Sequence, residues 1–171
     1  MLIKNKSLVL IGMMGSGKST IGFLLSKTIG LEFVDIDSHI EKKEGIKIHE
    51  IFKSKGEKYF RKIELAETLK ILNRKNIIIS LGGGAFIDEK IRKKILSDHL
   101  SIWLNWNSST IIKRIKYSKK RPLAIKLEEN QINKLIIERS KKYSLANYKI
   151  NCENLSKSEI TKKIKALYEN N

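Results

Sequence analysis

The segment Gly12-Met13-Met14-Gly15-Ser16-Gly17-Lys18-Ser19 constrains this chain more than any other. It satisfies G-x-x-x-x-G-K-[ST], follows an apolar run at 7–11, and opens a stretch with helical spacing at Ile21, Leu24, Leu25 and Thr28. Glycines let a loop turn its N–H groups onto phosphate oxygens, and the helix start behind them adds partial positive charge. Gly15, Ser16, Gly17, Lys18, Ser19 and Thr20 are therefore candidate nucleotide-binding residues. Lys18 is placed to reach the β- and γ-phosphates, and the Ser19 hydroxyl to reach Mg²⁺.

A phosphate loop of this kind needs a strand in front and a helix behind, and the rest of the chain supplies more of both. Short apolar strands are expected at 7–11, 32–36, 77–80, 100–104 and 148–152. Helices are expected at 19–29, 48–53, 57–72, 89–96, 109–117, 128–146 and 158–168. Strands alternating with helices predict an α/β fold, a parallel sheet covered on both faces. The 171 residues suit a single domain. The one proline, Pro122, lies in a basic polar stretch at 118–126 that reads as a mobile surface loop.

Composition narrows the setting. No apolar run is long enough to span a bilayer, and the opening apolar strand is too short for a signal-peptide core. One cysteine, Cys152, leaves no internal disulfide and fits a reducing cytosol. The net charge of +17 raises a nucleic-acid partner, but the lysines are scattered over the chain and no nucleic-acid motif is present. They read mainly as solvated helix faces in a field that attracts anionic substrates.

A Walker-B acid is missing from the third strand, which ends Ile79-Ser80-Leu81-Gly82. Acids end the second strand instead, as Asp35-Ile36-Asp37. On an extended backbone both carboxylates would face the crevice at the strand ends, one toward metal and one toward an acceptor hydroxyl. Equally open is a plainer arrangement, with Asp37 capping a helix and Asp35 facing solvent. Gly82-Gly83-Gly84 marks a place where backbone approaches a ligand closely. Glu57, Arg61 and Glu64 share a helix face, which by itself is an ordinary ion-pair row. Arg139 falls on an apolar stripe with Ile132, Leu135, Ile136, Tyr143 and Ala146, and so requires a paired anion, either a structural acid or an acidic substrate. Lys113, Arg114, Lys119, Lys120 and Arg121 flank the basic loop, where an arginine could neutralise charge on a transferring phosphoryl group.

Taken in order, these segments resemble the shikimate kinase family, from about Ser7 to Tyr168. The resemblance rests on Gly12–Thr20, Asp35-Ile36-Asp37, Gly56–Glu64 (matching GE-x-x-FR-x-x-E), Gly82-Gly83-Gly84, Arg121-Pro122-Leu123, and Arg139 with Tyr143 four residues later. It implies a three-layer sandwich with a five-stranded parallel sheet of the nucleoside-monophosphate-kinase type. It also implies a mobile lid around 114–126, an acceptor-binding helical region around 37–64, and a monomeric cytoplasmic enzyme acting on MgATP and shikimate. Matched by position, Asp37 meets the attacking 3-hydroxyl, Asp35 supports Mg²⁺ through water, and Arg61 and Arg139 clamp the acceptor carboxylate. Gly82, Gly83 and Gly84 line its ring, Arg121 reaches the transferring phosphate, and Arg114 lies against adenine.

The chain departs from the family pattern in three places. The Arg139–Tyr143 segment lacks the usual proline, Ala124 replaces a larger apolar residue, and no arginine near 151–155 frames adenine. A gluconate or nucleoside-monophosphate kinase shares the loop and lid arginines but not the paired carboxylate-binding arginines or the triple glycine. A nucleotide-dependent regulator of nucleic acid would need a switch element that the sequence does not show. An inactive kinase fold is opposed by the intact Lys18, Ser19 and Asp37.

Overall fold

The strands β1 (Leu8–Ile11), β2 (Glu32–Asp35), β3 (Ile77–Ser80), β4 (Leu100–Asn105) and β5 (Tyr148–Asn151) pair in parallel, in the order β2-β3-β1-β4-β5. They belong to a computed structural model that describes residues 6–117 and 127–171. Central strands β1 and β3 are buried on both faces, as their continuous apolar sequences require. Leu8 and Leu10 turn to one side, where Ile21 and Leu25 of α1 (Lys18–Ile29) and Ile160 and Ile164 of a C-terminal helix meet them. Val9 and Ile11 turn to the other and pack with Ile36, Leu72, Phe86 and Tyr143. The result is three layers, helix–sheet–helix.

The remaining helices are α2 (Ile36–Glu44), α3 (Ile48–Leu72), α4 (Glu89–Asp98), α5 (Ser108–Lys116), α6 (Glu129–Tyr143) and α7 (Lys157–Glu169), with a 3₁₀ turn at Ala85–Ile87. Expected and observed elements agree to within a few residues at their ends, with two instructive exceptions. Helix α2 was expected only within a helical region around 37–64, with Asp37 as one possible cap, and its actual start and cap differ. It starts directly at the end of β2, so Asp37 sits in a first helical turn, not on extended backbone. The cap is Asp35, whose Oδ1 accepts from the Ser38 amide at 3.0 Å. The two helices expected on either side of residue 55 meet without a loop. Gly56, at φ 79°, ψ 168°, turns one helical stretch into the next, a conformation that penalises any side chain.

Register brings the motifs together. Leu10 and Asp35 both pair with Ser80, so Gly12, Asp37 and Gly82 each follow two residues later at one edge of the sheet. Among the described residues no helix is long and apolar enough to cross a membrane.

Candidate active site

The loop between β1 and α1 is held from within by its own lysine. Lys18 is 6 % exposed, and its Nζ donates to the carbonyls of Gly12 and Met13, both at 2.9 Å. Gly15 and Gly17 take φ of 80° and 87°. No side chain caps α1, and its first turn carries no acid, so its positive end is left to face an anion. Beside it the Ser19 hydroxyl donates to Asp35 Oδ2 at 2.5 Å, tying the loop to the end of β2.

Next to this loop lies a cavity of about 560 Å³, into which Asp35, Asp37, Arg61, Glu64, Gly82–Gly84 and Arg139 all project. Five separate elements contribute, and the glycines explain how they fit. A Cβ on Gly82 would stand 2.7 Å from both Asp37 Oδ1 and Glu64 Oε1. One on Gly83 would stand 3.2 Å from Arg139 Nη1, and one on Gly84 would stand 2.5 Å from Arg61 Nη1. Each glycine therefore makes room for a different charged side chain, where a simple turn would need fewer. Tyr143 fixes the segment from behind by donating its hydroxyl to the Gly83 carbonyl.

Arg61 is oriented by two acids on its own helix. Its Nη1 donates to Glu64 Oε2 at 2.6 Å, and its Nη2 to Glu57 Oε1 at 3.3 Å. Glu64 is 3 % exposed. Burial pushes its carboxyl above the usual carboxylate range, Arg61 opposes that rise, and the nearby Asp37 charge adds to it. Arg139 also feels the Glu64 charge, but more weakly than Arg61 does. Its Nη1 is buried and has no hydrogen-bond partner among the described residues. A buried guanidinium nitrogen with nothing to donate to is costly unless an anion completes it. On the far side of the loop Arg114 donates Nη1 to the Gly15 carbonyl at 3.1 Å, and its Cζ lies 3.8 Å from the Trp106 ring centroid.

A family model for shikimate kinase matches residues 14–169. The chain belongs to the shikimate kinase family. The shikimate kinase of Persephonella marina is 40 % identical over 159 residues, covering 93 % of this chain and 96 % of that protein. That of Aquifex aeolicus is 40 % identical over 163 residues, covering 95 % of each. Shikimate kinase from Acinetobacter baumannii, solved in complex with shikimate, superposes with a TM-score of 0.90 at 30 % identity, covering 97 % of this chain and 94 % of that one. The fold is that of the P-loop, nucleoside-monophosphate-kinase-like proteins to which this family belongs.

Against this family frame, the site residues expected from sequence fall into three groups. Lys18, Ser19, Asp35, Asp37, Arg61, Gly82, Gly83, Gly84 and Arg139 converge at the sheet edge, with Gly15, Ser16 and Gly17 in the loop beside them and Thr20 exposed in the first turn of α1. Arg114 stands by the loop but stacks on protein, on Trp106. Arg121, with Lys119, Lys120 and most of the expected lid at 114–126, lies outside the described residues. The structure also adds lining that sequence reasoning did not assign, chiefly Ile48, His49 and Phe52 of α3, Glu41 of α2 and Leu127. Trp106 too was missed. An aromatic side chain directly after a strand, at the sheet edge where ligands bind, was the available signal.

Proposed function

We propose that this chain transfers the terminal phosphoryl group of MgATP to the 3-hydroxyl of shikimate, giving shikimate 3-phosphate and ADP. The observation that carries this reading is the pair of guanidinium groups, Arg61 and Arg139, beside the phosphate loop, with one Arg139 nitrogen lacking a hydrogen-bond partner among the described residues. A ring acid of shikimate's size fits a cavity of about 560 Å³ and brings the carboxylate this nitrogen needs.

The residues divide the work. Loop amides and Lys18 hold the β- and γ-phosphates. Arg61 and Arg139 grip the acceptor carboxylate, and Gly82–Gly84 let the ring lie close to the sheet edge. Asp37 accepts a hydrogen bond from the attacking hydroxyl and takes its proton as the new O–P bond forms. The bond from the γ-phosphorus to the β-phosphate bridging oxygen breaks, and ADP leaves with that electron pair. The protein contributes position and charge, with no covalent intermediate.

Ser19 Oγ and Asp35 offer the hard oxygen donors that Mg²⁺ prefers, and that ion normally keeps waters and phosphate oxygens as its other ligands. Bound Mg²⁺ would neutralise charge on the triphosphate. Arg121 completes the assignment from the lid, and Arg114 faces the base. The protein works as a single-domain monomer in the cytoplasm, with acceptor helices at 37–64 and a lid at 114–126; the lone, buried Cys152 accords with a reducing compartment.

A coupled ADP-release assay with MgATP and shikimate, gluconate or a nucleoside monophosphate tests the reading. Turnover is expected with shikimate alone. Faster turnover with either other acceptor would sink it.

A further inference from the structure

We infer that Trp106 is a positioning residue for the nucleotide, shaping the phosphate loop with its indole N–H and backing the base-facing guanidinium of Arg114 with its ring. This rests on the reading above that a nucleotide occupies the loop and that its base lies against Arg114.

Trp106 follows β4 directly and precedes Asn107, the cap of α5. It is half-buried and touches the apolar layers on both faces of the sheet, so its ring is held by packing on either side. From there Nε1 donates to the Ser16 carbonyl at 2.9 Å, across 90 residues of sequence. The Ser16–Gly17 peptide is trans, so fixing its carbonyl toward the indole points the Gly17 N–H the opposite way. Arg114, exposed on α5, donates to the preceding carbonyl, that of Gly15, at 3.1 Å. Two successive loop carbonyls are thus tied down on the outside by one tryptophan–arginine pair.

The Arg114 guanidinium lies 3.8 Å from the Trp106 centroid, inside the range of a cation–π contact. Glu153, held by the Asn107 amide at 3.0 Å and the Thr110 hydroxyl, is close enough to Arg114 to feel its charge. With one face on the indole, the guanidinium presents its other face outward, and a purine laid there completes an indole–guanidinium–base stack. A long exposed arginine would otherwise lose rotamer freedom on meeting the base; the ring removes part of that cost beforehand.

Two substitutions separate the two roles. Trp106→Leu removes both the N–H and the ring. Trp106→Phe removes the N–H but keeps a ring face. Steady-state kinetics and calorimetry with ADP, and with inorganic tripolyphosphate as a probe lacking the base, give the readouts. Trp106→Leu is expected to raise the KM for ATP and the Kd for ADP about tenfold. The KM for shikimate and kcat should stay within about twofold, since neither depends on the stack. Tripolyphosphate should lose less affinity than ADP, and equally in both variants, since that loss belongs to the N–H; Trp106→Phe should recover the ring's share of the ADP binding.

Unchanged ADP binding in Trp106→Leu would overturn the inference. So would equal losses for both substrates, or a phenylalanine variant as weak as the leucine one. If the wild-type protein itself bound no ADP, the nucleotide reading would fall first, and visibly so. Should the leucine variant fail to fold, the two-tryptophan wild-type protein decides instead. Trp103 is buried at 6 % exposure, so a change in emission on adding ADP, and none with shikimate, reports Trp106; no change at saturating ADP counts against it.

Discussion

The phosphate side of the cleft is built mainly on one stretch, Gly12–Ser19, whose lysine is held by that stretch's own carbonyls of Gly12 and Met13. The acid side gathers Asp37 from α2, Arg61 and Glu64 from α3, three glycines after β3 and Arg139 from α6, and leaves a buried guanidinium nitrogen without a hydrogen-bond partner among the described residues. One side is a local backbone device that any fold with a strand–loop–helix unit can carry. The other exists only when the whole chain has folded. Binding of nucleotide and binding of acceptor should therefore fail separately, and substitutions can test that separation.

The largest effect is expected where the two sides meet. Asp37→Asn should cut kcat by about 10²–10⁴ by removing proton acceptance from the attacking hydroxyl. Calorimetry should find ADP affinity unchanged, because Asp37 lines the acceptor cavity beside Gly82. Turnover within a few-fold of wild type would take Asp37 out of the chemistry.

Arg139→Ala comes next. Losing one partner of a buried charged pair costs about 2–5 kcal/mol, so the KM for shikimate should rise about 30-fold or more, with the KM for ATP nearly constant. Arg139→Lys should rescue little, since a point charge lacks the planar pair of donors. If both KM values rose together, Arg139 would be supporting the fold and the division between the two sides would be lost.

The same division governs what could be read from sequence. Gly12–Ser19 announced its chemistry because its geometry is local. The sheet was legible as well, since the runs at 8–11 and 77–80 have no polar residue until Ser80. Arg139 could be singled out because an arginine on an apolar stripe conflicts with its surroundings. Where helix α2 starts was not legible, because Asp35-Ile36-Asp37 reads equally as the end of a strand and the start of a helix; the Asp35 carboxylate, bonded to the Ser38 amide, decides it. The reason for three glycines was hidden too. It appears only when Asp37, Glu64, Arg139 and Arg61 arrive from elsewhere to fill the space.

Glycine substitutions sharpen the comparison at smaller amplitude. In Gly84→Ala the new methyl would meet Arg61 Nη1 at 2.5 Å. That group is the end of a flexible side chain and can move aside, so thermal stability should hardly change. Moving it spoils the clamp, and the KM for shikimate should rise about tenfold, as for loss of a charge-assisted hydrogen bond. Gly22→Ala should do the reverse. Its Cβ would lie 2.2 Å from a carbon of the Phe33 ring, packed between α1 and β2. Overpacking there should cost about 1–3 kcal/mol of stability, with both KM values unmoved. A melting curve and a pair of KM measurements for each variant suffice, and exchanged phenotypes would contradict the assignment.

The smallest effect separates a functional orphan from a structural one. His99 also has a buried nitrogen, Nδ1, with no partner among the described residues, but it sits just before β4, at the opposite end of the sheet from the phosphate loop. Its Nε2 must donate to the Leu72 carbonyl, 2.9 Å away, which leaves Nδ1 as a bare lone pair. Burial holds the imidazole below its ordinary value, against the pull of the Leu72 carbonyl, with Lys75 adding to the depression. The unfolded chain takes up this proton near pH ~6.5 and the folded chain only further down. The stabilisation is therefore complete above that value and is lost as pH falls through the folded pKa, with a slope of at most ~1.4 kcal/mol per pH unit. His99→Gln keeps a donor for Leu72 and cannot titrate, so urea denaturation between pH 7 and 5 should show a shallower loss than in the wild type, with shikimate and ATP kinetics at pH 7 unaltered. Parallel curves would show that His99 is protonated as easily folded as unfolded. A change in the KM for shikimate would mean that the two ends of the sheet are coupled, and that a missing partner at Arg139 could not be read as a substrate site independently of the rest of the fold.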